Sequence, residues 1–242
     1  MSLELSILML AVCLGAVLQV GIGIGFSIVA GPPMMILLGT ATAVPALLLL
    51  NTIVSVVATD WRVLAVEKQT ITTGVAGCLA GVLLGLLVYP WLSEAFVLAL
   101  TGFLLLIGVL ITLLPIHTMV GTVGFAAVSG LSGLATVWAA TPGPLMVFGL
   151  IARGFGAKDV AVLVQPIALV AYGTAFFLHG LSDWPSIPFG PQLWSFVGVA
   201  AVGSFLGRAV RSHLPQVFIK SAIRAISLVA CYVLLHRAYM LA

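Results

Sequence analysis

The chain has 242 residues, of which 62% are hydrophobic and 6% are charged, and its formal net charge is +3. A soluble domain carries roughly 25% charged residues, so this composition excludes a soluble globular protein. The basic residues lie near the ends of apolar runs, where membrane topology requires them, so the positive charge does not indicate a nucleic-acid partner.

The apolar runs predict an all-α polytopic membrane protein. Uncharged residues cover most of the chain, in the stretches 5–59, 69–93, 95–152, 160–182 and 184–207. Because a helix needs about 20 apolar residues to cross the bilayer, these stretches have room for about eight full crossings or ten shorter ones. No segment alternates polar and apolar residues as the strands of a membrane barrel do. Residues 1–4 lack the basic start of a secretory signal, so we expect the first span to be retained.

Two of the runs are interrupted by glycine and proline in a similar order. The first interruption comprises Gly21-Ile-Gly23-Ile-Gly25 and Gly31-Pro32-Pro33-Met34-Met35, and the second comprises Ser129-Gly130-Leu-Ser132-Gly133 and Thr141-Pro142-Gly143-Pro144-Leu145-Met146. In hydrocarbon, a broken backbone is tolerated only where it is buried in protein or lines a cavity. Paired interruptions in two halves indicate the binding site of a transporter, so the pattern favours a carrier for a small solute.

Each interruption predicts a hairpin of two short helical arms. The arms cover 3–20 and 22–38 in the first half and 117–131 and 134–152 in the second. Either the glycines or the prolines could form the turn, because both can end a helix. We interpret Thr141-Pro142 as a helix start, with threonine as N-cap and proline in the first turn. Gly31-Pro32-Pro33 is interpreted as its counterpart.

The two halves, residues 1–114 and 115–242, match beyond these interruptions. Asn51 corresponds to Gln165, Asp60-Trp61 corresponds to Asp183-Trp184, and the pair Gly81 and Gly85 corresponds to Gly203 and Gly207. Spans, loops and breaks that match in one order predict an internal duplication within a single membrane domain.

The positions of lysine and arginine favour inverted repeats. If each half is a broken hairpin followed by three spans, eight basic residues share one side of the membrane: Arg62, Lys68, Arg153, Lys158, Arg208, Arg211, Lys220 and Arg224. Only Arg237 then lies opposite, whereas four simple crossings in each half would divide these nine residues six to three. The positive-inside rule prefers the first arrangement. We therefore expect a multi-pass protein of the cell inner (plasma) membrane with both termini outside.

The acidic residues all lie near the ends of the predicted spans. A carrier of dehydrated metal cations usually needs a carboxylate at depth, and an intramembrane enzyme needs a nucleophile with a base or paired carboxylates. We therefore expect no metal site, no cofactor and no enzymatic activity. The histidines also lie near span ends, and His179 is the one to test as a proton carrier. Cys13, Cys78 and Cys231 are isolated and are interpreted as packing residues.

The polar groups at depth are neutral and rich in hydrogen-bond donors. Helix N-termini carry a partial positive charge and unpaired N–H groups, so two of them aimed at the bilayer centre would form a weakly electropositive pocket for a small oxyanion. The predicted substrate site comprises Gly23, Gly25, Ser27, Pro33, Asn51, Ser129, Ser132, Gly133, Thr136, Thr141, Pro144 and Gln165.

Several other features have a structural interpretation. Gly77, Gly81 and Gly85 repeat at a four-residue interval, which is typical of close helix packing. Arg208 and Arg224 are interpreted as residues that extend to the cytoplasmic ends of their spans, not as substrate ligands. The serines and threonines within spans often bond to their own helix backbone.

The chain resembles the sulfite exporter TauE/SafE family over essentially its whole length. Residues 15–39 are similar to the first half-motif of the family, and residues 124–154 are similar to the second. The loop residues Asp60-Trp61-Arg62 and Asp183-Trp184 also fit. The resemblance implies an inner-membrane secondary permease for small sulfur-containing anions such as sulfite or organosulfonates.

Other functions stay open on the residues alone. The alternatives are a permease for another small anion such as a carboxylate and, from a different class, an intramembrane lipid-handling enzyme. The partners expected for a permease are a small anionic substrate and membrane lipids. A coupling proton or ion and a homo-oligomer are both compatible with the pattern.

Overall fold

The computed structural model describes residues 3–23, 25–113, 119–183, 190–210 and 216–242. These residues form eleven helices and no strand: α1 Leu3–Ile22, α2 Phe26–Leu38, α3 Thr40–Ala58, α4 Val63–Val66, α5 Lys68–Val88, α6 Glu94–Leu113, α7 Thr122–Ala139, α8 Gly143–Ala152, α9 Ala157–Asp183, α10 Pro191–Val210 and α11 Gln216–Leu241. A short 3-10 turn, Tyr89–Trp91, follows α5.

Eight of these helices are long and apolar enough to cross a membrane: α1, α3, α5, α6, α7, α9, α10 and α11. The two shorter apolar helices, α2 and α8, have 13 and 10 residues. Within the described residues, the fold therefore agrees with the predicted all-α polytopic membrane protein of about eight crossings.

The first interruption turns at its glycines. Gly23 and Gly25 separate α1 from α2, with φ angles of 95° and 144° that favour glycine. Pro32 and Pro33 lie inside α2. The interpretation of Gly31-Pro32-Pro33 as a helix start is therefore wrong. These prolines lack only their own N–H bonds, and neighbouring helices make such a loss tolerable within a membrane protein.

The second interruption turns at its prolines. Helix α7 continues through Gly130 and Gly133 to Ala139, and the break covers Ala140, which has a φ of 49°, to Pro142. The predicted arms over 117–131 and 134–152 are therefore wrong in their boundaries; residues 117 and 118 lie outside the described residues. The glycines of α7 permit close packing instead of a turn.

Two helix pairs pack closely through glycine. A Cβ atom added to Gly81 would overlap the carbonyl oxygen of Gly130, where α5 crosses α7. A Cβ atom added to Gly203 or Gly207 would lie 2.7 or 2.6 Å from carbonyl oxygens of α1. The predicted packing role of the α5 glycines is therefore confirmed, because only small residues let two membrane helices approach this closely.

One end of the molecule collects basic residues. Arg208, near the end of α10, donates to the carbonyl oxygen of Val57, near the end of α3. Arg224, early in α11, donates to the hydroxyl and carbonyl oxygens of Thr112, near the end of α6, over 2.9 and 2.8 Å. Lys158, at the start of α9, lines a large space between α6, α8, α9 and α11, and both arginines line the same space. We call this the basic end of the molecule.

The position of the far end of α9 follows from this arrangement. Because α9 starts at the basic end and has 27 residues, its last residue, Asp183, lies about 40 Å away. Helices α3 and α9 pack on each other, and they are the most deeply buried of the long apolar helices. They carry Asn51 and Gln165, so the two amides lie in the centre of the described helices.

Candidate functional site

A small cavity with a few polar groups in its wall lies where the two breaks meet. Its wall combines α1, both breaks, the first turns of α2 and α8, and parts of α5 and α9: Gln19, Gly23, Gly25, Ser27, Ile28, Cys78, Thr141, Pro142, Gly143, Pro144, Met146, Val164, Ala168 and Tyr172. The cavity measures about 30 Å³, which is enough for a water molecule but not for an organic solute.

The first turns of α2 and α8 both border this cavity. Helix α2 begins at Phe26 after Gly25, and α8 begins at Gly143. First-turn N–H groups have no partner within their own helix, and they carry partial positive charge. Helix α8 has 10 residues and is therefore about 15 Å long, half the thickness of the hydrocarbon core. Its first turn thus lies near the depth expected for a midplane site.

The start of α8 lies one residue later than predicted. Pro142 occupies the N-cap position, and the hydroxyl of Thr141 donates over 2.7 Å to the carbonyl oxygen of Ala139. Thr141 therefore stabilises the break itself, whereas the prediction made it the N-cap of α8. It remains a wall residue of the cavity.

A pair of glutamines stabilises the first break. The side chain of Gln165 donates to the carbonyl oxygen of Gly23 and accepts a 3.0 Å hydrogen bond from Gln19. Gln19 in turn accepts the backbone N–H of Phe26 over 3.2 Å. The two amides thus satisfy backbone groups that the break releases from the helix, which a buried backbone requires.

Two serines stabilise the second break. Ser27 donates over 2.6 Å to the carbonyl oxygen of Ala140, and Ser132 donates over 2.9 Å to that of Pro142. Asn51 donates over 2.9 Å to the hydroxyl of Ser27. Because Ser27 belongs to the first half and Ala140 to the second, these bonds connect the two breaks across the cavity.

The twelve predicted site residues fall into three groups. Five line the cavity: Gly23, Gly25, Ser27, Thr141 and Pro144. Three lie behind its wall and hold the breaks: Asn51, Ser132 and Gln165.

The remaining four are placed elsewhere on α2 and α7. Pro33 is partly buried within α2, and Gly133 packs against the carbonyl oxygen of Cys78. Thr136 donates to the carbonyl oxygen of Ser132 in its own helix. Ser129 faces Gly77 of α5, and its buried hydroxyl has no hydrogen-bond partner among the described residues.

Nine of the fourteen wall residues were not among the predicted site, and three of these nine have polar side chains: Gln19, Cys78 and Tyr172. Gln19 and Tyr172 line the cavity, and the phenol of Tyr172 lies beside the Ser27 hydroxyl and the Cys78 thiol. Tyr172 follows Gln165 by two helical turns, so the helical period could have placed both on one face of α9. Cys78, interpreted from the sequence as a packing residue, is also part of the wall.

His179 lies outside this cavity. Its ring is only 3% exposed, and its Nε2 is 3.2 Å from the carbonyl oxygen of Val137. The ring of Tyr89 meets it edge-on at 4.3 Å. His236 packs against Tyr232 near the end of α11, and His117 and His213 lie outside the described residues.

The wall of the cavity is electrostatically neutral. It has no lysine, arginine or carboxylate, and the described residues contain no group of three His, Cys, Asp or Glu that could hold a metal ion. The polar groups that it presents are hydroxyls, an amide, a thiol and first-turn N–H groups. Such a set can surround a small anion without binding it permanently.

The chain matches no protein-family model, and neither the curated proteins nor the solved structures contain a match to it.

Proposed function

We propose that this chain is a secondary permease for a small sulfur-containing oxyanion, sulfite or an organosulfonate. The observation that carries the proposal is the meeting of two helix first turns, α2 and α8, at one buried cavity without a carboxylate in its wall. Helix N-termini favour anions. The resemblance to the TauE/SafE family supports sulfur as the central atom of the substrate.

Alternating access would arise from two inverted repeats. The packing supports this. Each of five helices in the first half has a counterpart in the second: α1 has α7, α2 has α8, α3 has α9, α5 has α10 and α6 has α11. When counterparts are exchanged, each major helix contact becomes a contact that the structure also contains. The contact of α1 with α10 becomes that of α7 with α5, and the contact of α2 with α11 becomes that of α8 with α6. Inverted repeats can exchange conformations, which opens a central site to each side in turn.

The neutral wall suits a carrier. First-turn N–H groups of α2 and α8 hold the anion in this proposal, and no full positive charge retains it, so binding is modest and release is rapid. Because about 30 Å³ is too small for the anion together with its contacts, the two broken hairpins must separate to admit it.

Transport can be tested by counterflow. Purified protein in liposomes preloaded with unlabelled sulfite should accumulate labelled sulfite, and taurine, acetate and chloride form the comparison panel. Uptake of sulfite or a sulfonate above protein-free liposomes is the expected result. Absence of flux for every anion, together with hydrolysis of a lipid, would instead identify the lipid-handling enzyme.

The proposed orientation places the basic end in the cytoplasm and both termini outside, in the inner (plasma) membrane. Single cysteines introduced at Asp60 and at Asp183 in a cysteine-free protein should react with an impermeant maleimide from opposite faces of the membrane, with Asp60 cytoplasmic. The reason is that Arg208 and Val57 share the basic end, whereas α9 ends far from it. Labelling of both positions from one face would contradict the inverted arrangement.

A further inference from the structure

A second, larger space lies beside the cavity. It is a chamber of about 900 Å³ between α6, α8, α9 and α11, and it extends to the basic end of the molecule. Ile28, Gly143 and Pro144 line both the chamber and the small cavity. These residues, at the first turns of α2 and α8, therefore form a wall that the two spaces share.

The mouth of the chamber carries a concentration of positive charge. Lys158, Arg208 and Arg224 line it, and no acidic residue does; Asp159, the neighbour of Lys158, is not part of the wall. The hydrogen bonds of Arg224 to Thr112 use two of the five N–H donors of its guanidinium. Charges of one sign in a cleft with apolar walls raise the local concentration of oppositely charged solutes.

Gly143 lies between the two spaces, since it lines both of them. A Cβ atom built on it would meet no atom within 4 Å, so a side chain there would enter open space and not a packed neighbour. Because Gly143 lines both spaces, that open space belongs to the passage. The glycines of the α5–α7 crossing are different, because backbone of the facing helix occupies the place of their side chains.

The side of the cavity away from the basic end is closed by hydrogen bonds from α7. The indole of Trp138 donates over 2.8 Å to the carbonyl oxygen of Gly85, near the end of α5. The carbonyl oxygen of Val137 lies 3.2 Å from Nε2 of His179, near the end of α9. Both contacts hold the last turn of α7 against helix ends that are remote from the basic residues.

We propose that the chamber is the access route of the anion from the basic end, and that Gly143 keeps the passage to the inner cavity open. Lys158, Arg208 and Arg224 are specificity-determining residues that attract anions into this route. The structure then corresponds to the state that faces the basic end. The identity of the solute rests on the proposed function, whereas the route can be tested without transport.

Two cysteine reporters, one in each space, test the route. Ser227→Cys, combined with Cys13→Ala, Cys78→Ala and Cys231→Ala, reports on the chamber that Ser227 lines. The natural Cys78, combined with Cys13→Ala and Cys231→Ala, reports on the inner cavity. Small anionic and cationic methanethiosulfonates are applied to membrane vesicles of each orientation, and the rate of thiol modification is measured by mass spectrometry.

The anionic reagent, applied from the basic end, should modify the chamber reporter. Its rate should be about 10-fold higher in the protein with its natural Lys158 and Arg224 than in the protein that also carries Lys158→Gln and Arg224→Gln. Arg237→Gln is the matched control, because Arg237 lies near the end of α11 and does not line the chamber. Equal rates in all three proteins would overturn the role of the basic residues.

From the basic end, Cys78 should also react, slowly, because the cavity of about 30 Å³ must widen to admit the reagent. Gly143→Leu should slow this reaction by at least about a further 10-fold, because a branched side chain occupies the space beside Gly143. Gly143→Ala should have little effect. Gly198→Leu is the control, because a Cβ atom on that glycine of α10 also meets no atom within 4 Å. The chamber reporter should react normally in the Gly143→Leu protein, which verifies that this protein is folded.

Modification of Cys78 from the opposite face, its absence from the basic end, or an unchanged rate in the Gly143→Leu protein would overturn the route. The access route and the permease function can also be tested separately. If the reporters behave as expected while no anion is transported, the route is correct and the permease function is wrong.

Discussion

Replacing Gln165 with leucine should reduce anion counterflow by at least about 100-fold and lower the free energy of unfolding by about 2–4 kcal/mol. The amide donates to the carbonyl oxygen of Gly23 and accepts from Gln19. Leucine would leave both of these buried groups without a partner, and each unsatisfied group costs about 1–3 kcal/mol. The first break, which forms part of the cavity wall, would lose its defined shape.

Counterflow in liposomes and thermal unfolding in detergent measure these two effects. Gln69→Leu is the matched control, because Gln69 is an exposed glutamine near the start of α5. Normal transport and unchanged stability of the Gln165→Leu protein would show that the amide does not hold the break.

Asn51→Leu should weaken the apparent affinity for the anion about 10- to 100-fold while leaving the protein folded. Asn51 donates over 2.9 Å to the hydroxyl of Ser27, which lines the cavity, and over 2.8 Å to the carbonyl oxygen of Leu47 in its own helix. Loss of the first bond releases the Ser27 hydroxyl from its position. Ser27 also donates to the carbonyl oxygen of Ala140 in the second break, so its displacement disturbs both breaks. A buried group left without its partner costs about 1–3 kcal/mol, which corresponds to this change in affinity.

The concentration dependence of uptake separates this effect from a loss of stability. The apparent KM should rise, whereas the melting temperature should change much less than in the Gln165→Leu protein. Thr52→Val is the control at the neighbouring position, since the hydroxyl of Thr52 bonds only the carbonyl oxygen of Leu48 in the same helix. If Asn51→Leu and Gln165→Leu both transport normally, the anion site is not at the breaks.

Much of the site follows from residue type and depth. Gly23, Gly25, Ser27, Thr141 and Pro144 line the cavity as the pattern of interruptions predicted. Glycine and proline disturb a helix wherever they occur, and polar groups at depth need partners, so these two signals are local. Asn51 and Gln165, which the prediction placed in the pocket itself, instead hold the breaks from behind its wall.

Which glycines and prolines end a helix could not be predicted locally. Gly133 lies within α7, where the backbone of α5 packs beside it. Pro33 lies within α2, and the chain turns at Gly23 and Gly25 instead. The same residue types turn the chain in one place and permit close packing in another. The difference lies in the neighbouring helices, which are distant in sequence.

The sequence by itself therefore determined the class of the protein, the number of apolar helices and the neutral, donor-rich chemistry at depth, because all three depend on composition and on the length of uncharged runs. Only the tertiary structure decided which of these groups meet. It brought Gln19, Cys78 and Tyr172 into the wall of the cavity and placed a basic chamber beside that cavity, with Gly143 lining both. The physical reason is that a cavity is the space left between packed helices, and its shape is a property of their crossings and not of any one segment.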